Sequence, residues 1–304
     1  MSKMSSNVKG VVFLVLSMFI ISLQNIAIKW MGGDYSVLEI VMIRSLVALP
    51  CTLLFYRLEG QRGLPVSQQH KLEYIRGSML FLSYTAFMMG LAALPLADIE
   101  AIRFSAPLMI TFLSVVILGE KVGPRRWLAL VVGFIGVLLV VRPGSTTFNL
   151  GSVFILISVL FYALTVIFTR KLQSTDSSAT MAYYSSLVYL VAALVLAPLP
   201  AVVGEITDPH PSIAFLVRAW SMPTLLDLVI MAGLGLVWAG WMYSMSRAYS
   251  LAQASLIAPF EYVSLPINIM WGFLIWQEIP TWMTLAGASL TLFSGMYVLY
   301  RERK

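Results

Sequence analysis

Charged side chains are the scarcest class in this sequence, and their scarcity excludes most water-soluble folds. Lys, Arg, Asp and Glu make up only 11% of the 304 residues, whereas 59% are hydrophobic. Soluble domains carry about 25% charged residues, because water must solvate their surfaces. We therefore predict that most of these side chains face hydrocarbon and that the chain is an integral membrane protein.

Cysteine and histidine are also nearly absent, which removes several kinds of chemistry. The single cysteine, Cys51, lies in an apolar run, so one chain cannot build a disulfide framework. The two histidines, His70 and His210, fall in predicted loops. The sequence has no Walker loop, no metal-spaced His/Cys cluster and no nucleophile elbow. It predicts no enzyme, no cofactor and no metal, so any energy for its work comes from gradients or exchange.

Long apolar runs are what the sequence has in abundance. A membrane span needs about 20 mostly apolar residues, and we predict ten such spans. The first run, 10–31, is too long for the apolar part of a signal peptide, about 7–15 residues. The spans are predicted near 9–31, 36–57, 73–93, 96–118, 125–142, 149–170, 179–201, 222–246, 252–276 and 281–300.

Basic residues set the predicted orientation. A net charge of +6 would suggest a nucleic-acid partner in a soluble protein, but here the basic residues lie between apolar runs. With the N-terminus inside, fifteen Lys and Arg residues fall in inner segments and only Arg142 and Arg218 in outer ones. This bias follows the positive-inside rule. We predict a multi-pass protein of the bacterial inner membrane with both termini in the cytoplasm and no nucleic-acid partner.

The two halves of the chain repeat each other. With an offset of 141, residues 10–49 align with 151–190 without a gap, and eleven of the forty positions are identical. Lys29 falls on Arg170, so both first helices end on a basic residue. We predict an all-α membrane fold of two five-helix repeats, residues 1–146 and 147–304. An odd number of spans per repeat inserts the copies in opposite orientations, as in many secondary transporters.

The order and spacing of several short motifs resemble the drug/metabolite transporter superfamily, EamA-type branch, over nearly the whole chain. They are Arg76-Gly77, Ala106-Pro107, Leu118-Gly119-Glu120, Gly133 to Val137, Arg142-Pro143, Pro259, Tyr262, Pro266, Gln277-Glu278 and the pair Gly287 and Gly295. Within that branch the chain is most similar to bacterial members that import S-adenosylmethionine or riboflavin. The resemblance implies a cavity lined by spans 1, 3, 4, 6, 8 and 9.

Ionisable residues within predicted spans are candidate functional groups, because each costs about 2.5–3.5 kcal/mol at membrane depth on insertion scales. Most of them fall in the outer half of the predicted membrane. One hypothesis is that some of them act in gating or form structural ion pairs. The residues of this set are Lys29, Glu39, Arg44 and Asp98. Glu100 and Arg103 lie three residues apart, so they can pair on one helix face or face the cavity.

Glu261 has the most specific setting of the embedded acids. It lies nearly two turns into the ninth span, and Pro259 and Pro266 flank it. Proline breaks the backbone bonds of a helix, and the freed carbonyls can line a cavity. An acid beside such a break can bind a cation or carry a proton. A buried, hydrogen-bonded structural acid is the alternative.

Uncharged polar residues and aromatic rings complete the predicted substrate site. Gln24 and Asn25 are polar at depth in the first span, and aromatic rings can stack on a flat substrate or hold an organic cation. The same rings also suit helix packing or an interfacial belt. The predicted substrate-binding set is Gln24, Asn25, Tyr84, Glu100, Arg103, Tyr162, Trp238, Trp241, Glu261, Tyr262 and Trp271.

These observations predict a secondary transporter that moves a small polar, zwitterionic or aromatic metabolite by alternating access. The expected partners are this substrate and the lipid bilayer, and a homodimer is possible. Two alternatives stay open at this point. One is an exporter of amino acids or related metabolites, and the other is a membrane scaffold that does not transport.

Overall fold

In a computed structural model, every long element is an α-helix, and the described residues form no strand. The structure describes residues 6–30, 35–94, 99, 102–103, 105–141, 150–204, 210–277, 279, 281–283, 285–287, 289–290 and 293. The α-helices are α1 (Ser6–Trp30), α2 (Val37–Leu58), α3 (His70–Leu91), α4 (Ala106–Leu118), α5 (Pro124–Val141), α6 (Leu150–Leu172), α7 (Ser178–Leu196), α8 (Leu199–Val203), α9 (Pro211–Val217), α10 (Leu225–Leu251), α11 (Ala254–Ile257) and α12 (Ser264–Trp276).

Five segments in the described part of the chain are long and apolar enough to cross a membrane, and they fall where the sequence predicts spans. They are Ser6–Ile28, Val37–Leu58, Leu150–Leu172, Ser178–Val203 and Leu225–Leu251. α4 is a shorter apolar helix. Most of the predicted span 281–300 lies outside the described residues, as does much of 96–105.

Local side chains define where several helices begin and end. The hydroxyls of Ser36, Ser177 and Thr224 each accept a bond from a backbone N–H in the first turn of the helix that follows. These bonds satisfy donors that the helix itself leaves unpaired. α4 ends at Gly119, whose φ of 68° is left-handed and is open to glycine without strain.

The outer surface of α1 shows why the helices suit a lipid environment. Large apolar side chains recur every three or four residues along one exposed stripe: Val8, Val12, Leu16, Phe19 and Leu23. The opposite face is buried and carries the polar residues Ser17, Ser22, Gln24 and Asn25 among apolar ones. The exposed apolar face meets hydrocarbon, whereas the polar groups lie inside the bundle.

The predicted ninth span is interrupted, as its prolines lead us to expect. α11 ends at Ile257, a 3₁₀ turn runs over Ala258–Val263, and α12 continues from Ser264. Proline removes a backbone donor, which disfavours a continuous α-helix here. Glu261 therefore lies on the 3₁₀ turn, between two helical pieces.

Helices from the two halves of the chain pack against each other in a paired way. α3 packs along α6, and α1 packs along α10. α2 contacts α10, and α3 contacts α7; α2 and α7 also contact each other. When α1, α2 and α3 are exchanged with α6, α7 and α10, the first four contacts map onto each other in pairs, and the contact of α2 with α7 maps onto itself. The centre of the bundle is thus built from both halves.

Candidate functional site

A cavity lies at the centre of the bundle, between helices of both halves. Its volume is about 60 Å³. Ligand sites in proteins fall between about 300 and 1,000 Å³, so the lining residues must move apart before a metabolite fits. Its lining residues are Ile21, Gln24, Asn25, Leu80, Ser83, Tyr84, Phe87, Arg103, Ala106, Ser158, Val159, Tyr162, Trp238 and Trp241. From the first half of the chain, α1, α3 and residues at the start of α4 line the cavity. From the second half, α6 and α10 line it.

Seven residues of the predicted substrate-binding set border this cavity: Gln24, Asn25, Tyr84, Arg103, Tyr162, Trp238 and Trp241. They come from five of the predicted spans, so the fold brings together residues that hydropathy alone could place only by depth. Arg103 also lies over the Phe87 ring, with its guanidinium carbon 5.0 Å from the ring centroid. The roles of these residues in binding stay predictions.

Glu261 lies just behind the cavity wall. Its Oε1 accepts a hydrogen bond from the hydroxyl of Tyr162 at 2.8 Å, and the hydroxyl of Tyr249 donates to the same oxygen. Arg103 interacts with this carboxylate electrostatically. Because Tyr162 lines the cavity, it connects the buried acid to that space. Tyr249 was missed by sequence analysis, since nothing in its local sequence indicates a partner twelve residues away.

Arg44 does not pair with Glu39, although both belong to the set predicted to gate or to form structural ion pairs. Within the described part of the chain its guanidinium has no acidic partner. Its guanidinium carbon lies instead in the corner between two aromatic rings, 3.9 Å from the centroids of both Tyr84 and Trp238. Its Nη1 donates to Oε1 of Gln24 at 2.9 Å. Helical spacing did not favour a pair five residues apart, because neighbours on a helix face lie three or four apart.

Glu39 lies elsewhere and accepts a bond from the backbone N–H of Ser221 at 3.4 Å. Nearby, the Tyr35 hydroxyl donates to Asp227 Oδ2 at 2.6 Å. Both contacts join the start of α2 to the start of α10, so they tie the two halves together at one end of the bundle. A gating role for Glu39 stays a prediction.

The other predicted site residues lie away from the cavity or outside the described residues. The Trp271 indole donates to Ser22 Oγ at 3.1 Å and is not part of the cavity wall. Asp98 and Glu100 lie outside the described residues, as do the side chains of Lys29 and Tyr262. The pairing of Glu100 with Arg103 accordingly stays a prediction.

Arg76 forms a polar cluster that the sequence did not reveal as a site. It is fully buried at the start of α3 and donates to Thr169, Met181 and Ser185, at 2.7, 2.9 and 2.7 Å. A further bond of 2.9 Å reaches Ser246. The position of an arginine within an apolar helix was the signal that could have indicated this cluster. Its partners on α6, α7 and α10 could not be predicted, because they lie at least 93 residues away in sequence. The cluster joins the two halves at the end of the bundle where α3 begins.

Comparisons with known proteins agree with this architecture. A model of the EamA-like transporter family matches residues 8–142 and 149–300. A solved structure described only as the crystal structure of a protein superposes with a TM-score of 0.71 at 14% identity. That match covers 97% of this chain and 99% of the other, and it shows a shared fold.

Curated relatives cover most of the chain as well. An S-adenosylmethionine uptake transporter of Rickettsia bellii is 26% identical over 97% of this chain and 94% of the relative. The pseudopaline exporter CntI of Pseudomonas aeruginosa is 30% identical over 97% of both chains. A riboflavin transporter of Vibrio cholerae is 28% identical over 87% of this chain and 83% of the relative.

Proposed function

Because the chain belongs to the EamA-like transporter family, whose relatives carry small metabolites, we propose that it binds its substrate in the central cavity and moves it by alternating access. Small-metabolite transport fits the composition and the relatives alike. The single observation that carries the proposal is the position of the cavity, which both halves of the chain line. A pocket at such an interface can open to either side when the halves rock against each other.

Contacts at both ends of the bundle support this motion. The Arg76 cluster joins the halves where α3 begins, and the Tyr35–Asp227 and Glu39–Ser221 bonds join them at the opposite end. An alternating-access cycle needs one set of contacts to break while the other holds. We propose that the two five-helix units are inverted repeats, which the exchange of packing contacts between halves supports. We also propose the inner membrane as its location, with both termini cytoplasmic.

Counterflow in liposomes tests the transport proposal directly. Purified protein is reconstituted into vesicles loaded with unlabelled S-adenosylmethionine, or with riboflavin in a parallel set, and labelled compound is added outside. These compounds are chosen because relatives are named for them. Accumulation of label above protein-free vesicles supports the proposal. A protein that exchanges neither these nor a wider panel of amino acids, quaternary amines and nucleosides contradicts it.

Glu261 is the acid that we expect to matter most for transport. In Glu261→Gln the side-chain oxygen still accepts bonds from Tyr162 and Tyr249, so the fold is kept while the charge is lost. The lost charge is the one that would hold a cationic group or a proton, and a bond to a charged group contributes about 1.5–3 kcal/mol, so uptake should fall about tenfold or more. Vesicle uptake over a pH series measures the effect.

Glu59→Gln is the matched control for that variant, since Glu59 caps the end of α2 and does not border the cavity. It should transport like the parent protein. Unchanged uptake and unchanged pH dependence in Glu261→Gln would remove this acid from the mechanism, while the transport proposal itself would stand on counterflow.

A further inference from the structure

The cavity is surrounded by buried donors that lack acceptors. Among the described residues, buried side-chain atoms without a hydrogen-bond partner include Asn25 Nδ2, the Tyr84 hydroxyl, and the indole nitrogens of Trp238 and Trp241. All four residues line the cavity. Nitrogen atoms of an amide and of an indole can only donate, so three of these groups require an acceptor. Arg44 does not itself line the cavity but contacts the rings of Tyr84 and Trp238, which do. We call the four lining residues together with Arg44 the donor cluster.

Arg44 adds a positive charge to this cluster without a counterion. Its side chain is fully buried, and within the described residues it has no acidic neighbour, since only the ring contacts and the bond to Gln24 involve it. A buried charge is costly unless it is paired. The rings that flank it attract the cation through their faces, yet they accept none of its remaining N–H bonds. As far as the described residues go, the surroundings of Arg44 therefore have a surplus of positive charge and of donors.

The free edge of Arg44 has the geometry of a carboxylate receptor. Its Nη1 is occupied by Gln24, whereas Nε and Nη2 have no partner. The Nε–H and Nη2–H groups point in parallel from one edge of the planar guanidinium. Such a fork matches the two oxygens of a carboxylate in a bidentate pair.

We propose that the substrate is an organic carboxylate, whose carboxylate pairs with Arg44 and with the donor cluster around it. This inference rests on the proposed function and names the substrate class of the same cavity. The incoming carboxylate supplies the negative charge and the acceptors that the site lacks. Arg44 has no exposed surface here, so we expect binding to shift the ring of Tyr84 or Trp238.

Matched acid and amide compounds test the substrate class on the unaltered protein. Indole-3-acetate is compared with indole-3-acetamide, and L-methionine with L-methioninamide, by thermal unfolding of the purified protein over a concentration series. A ligand that binds the folded state raises its apparent stability. We expect the acid of at least one pair to bind about tenfold or more tightly than its amide, as a charge-assisted bidentate pair predicts.

Variants then assign the effect to Arg44. Arg44→Gln should remove the preference for the acid, and Arg44→Lys should keep part of it, because lysine retains the charge but not the fork. Trp241→Phe should weaken acid binding less, since it keeps the ring and removes one donor. Arg57→Gln, an exposed arginine on the same helix, is the control and should bind like the parent protein.

The outcomes separate this inference from the transport proposal. If every amide binds as well as its acid, or if Arg44→Gln keeps the preference, the carboxylate assignment is overturned. Counterflow of a neutral or cationic compound would then leave transport standing. If Arg44→Gln fails to fold, the acid and amide comparison on the unaltered protein still decides. If no carboxylate in the panel stabilises the protein, the inference is likewise overturned.

Discussion

Arg44 and Arg76 are both fully buried, but their surroundings differ in a way that indicates different uses. Arg76 has protein partners for its donors and an ion pair with Glu73 at 3.6 Å. Among the described residues Arg44 has one hydrogen-bond partner, Gln24, and its Nε and Nη2 atoms have none. A saturated buried cation holds structure together, whereas an unsaturated one behind cavity-lining rings can take a ligand once those rings move.

Loss of Arg76 should therefore reduce stability more than a typical substitution does. Arg76→Gln leaves Glu73, which is fully buried, without its cation. Breaking a buried pair by removing one partner costs about 3–5 kcal/mol. We expect a large fall in the midpoint of thermal unfolding, measured in the same detergent for all variants.

The double variant Glu73→Gln/Arg76→Gln provides the internal control for that prediction. Because it leaves no uncompensated charge, it should be more stable than Arg76→Gln alone. A double variant that unfolds at the same temperature as the single one, or below it, would show that the ion pair is not the source of the effect.

Among the elements, the contact between α2 and α10 fixes the position of Arg44. Gly235 on α10 lies against the backbone of α2, and a Cβ added there would come within 2.5 Å of the Arg44 carbonyl oxygen and 2.6 Å of Val47 Cβ. Such distances force backbone or β-carbon atoms to move. The close approach of these two helices thus depends on a residue without a side chain, and it holds the Trp238 ring of α10 over the guanidinium.

Gly235→Ala should destabilise the protein by about 1–3 kcal/mol, as overpacking of a tight core does. Gly233→Ala is a control on the same helix, since an added Cβ there meets nothing within 4 Å. Alanine favours a helix over glycine by up to about 1 kcal/mol, so that variant should be neutral or slightly more stable. Thermal unfolding compares the two, and equal midpoints would contradict the packing argument.

The existence of these helices was predictable from the sequence, whereas their contacts were not. Apolar runs indicated α1, α2, α6, α7 and α10 close to their observed bounds, because a span is a local pattern of about 20 residues. The prolines near Glu261 likewise indicated the break between α11 and α12. The approach of α2 to α10 depends on residues almost 190 positions apart, which no local pattern encodes.

For the whole molecule, the inverted-repeat proposal makes a topological prediction. Ten spans with the positive-inside bias place both termini in the cytoplasm and the junction near residue 146 outside. Fusions to a reporter that fluoresces only in the cytoplasm and to a phosphatase active only outside it measure each position. We expect fluorescence at both termini and phosphatase activity at the junction.

Termini on opposite sides of the membrane would contradict an even number of spans. The two halves would then not be inverted copies, and rocking about the central cavity would lose its structural basis. Truncation after residue 146 with the same reporters provides the control, because the first half alone should leave its end outside.

The sequence by itself determined the membrane class, the positions of the main helices and the family, because hydropathy, loop charge and motif order are read along the chain. It also identified most of the polar residues that line the cavity. Only the tertiary structure decided the partners of the buried charged side chains: Gln24 for Arg44, Tyr249 for Glu261 and Ser246 for Arg76. The physical reason is that hydrocarbon selects helices by their own composition, whereas a buried polar side chain takes its partner from whichever helix packs beside it.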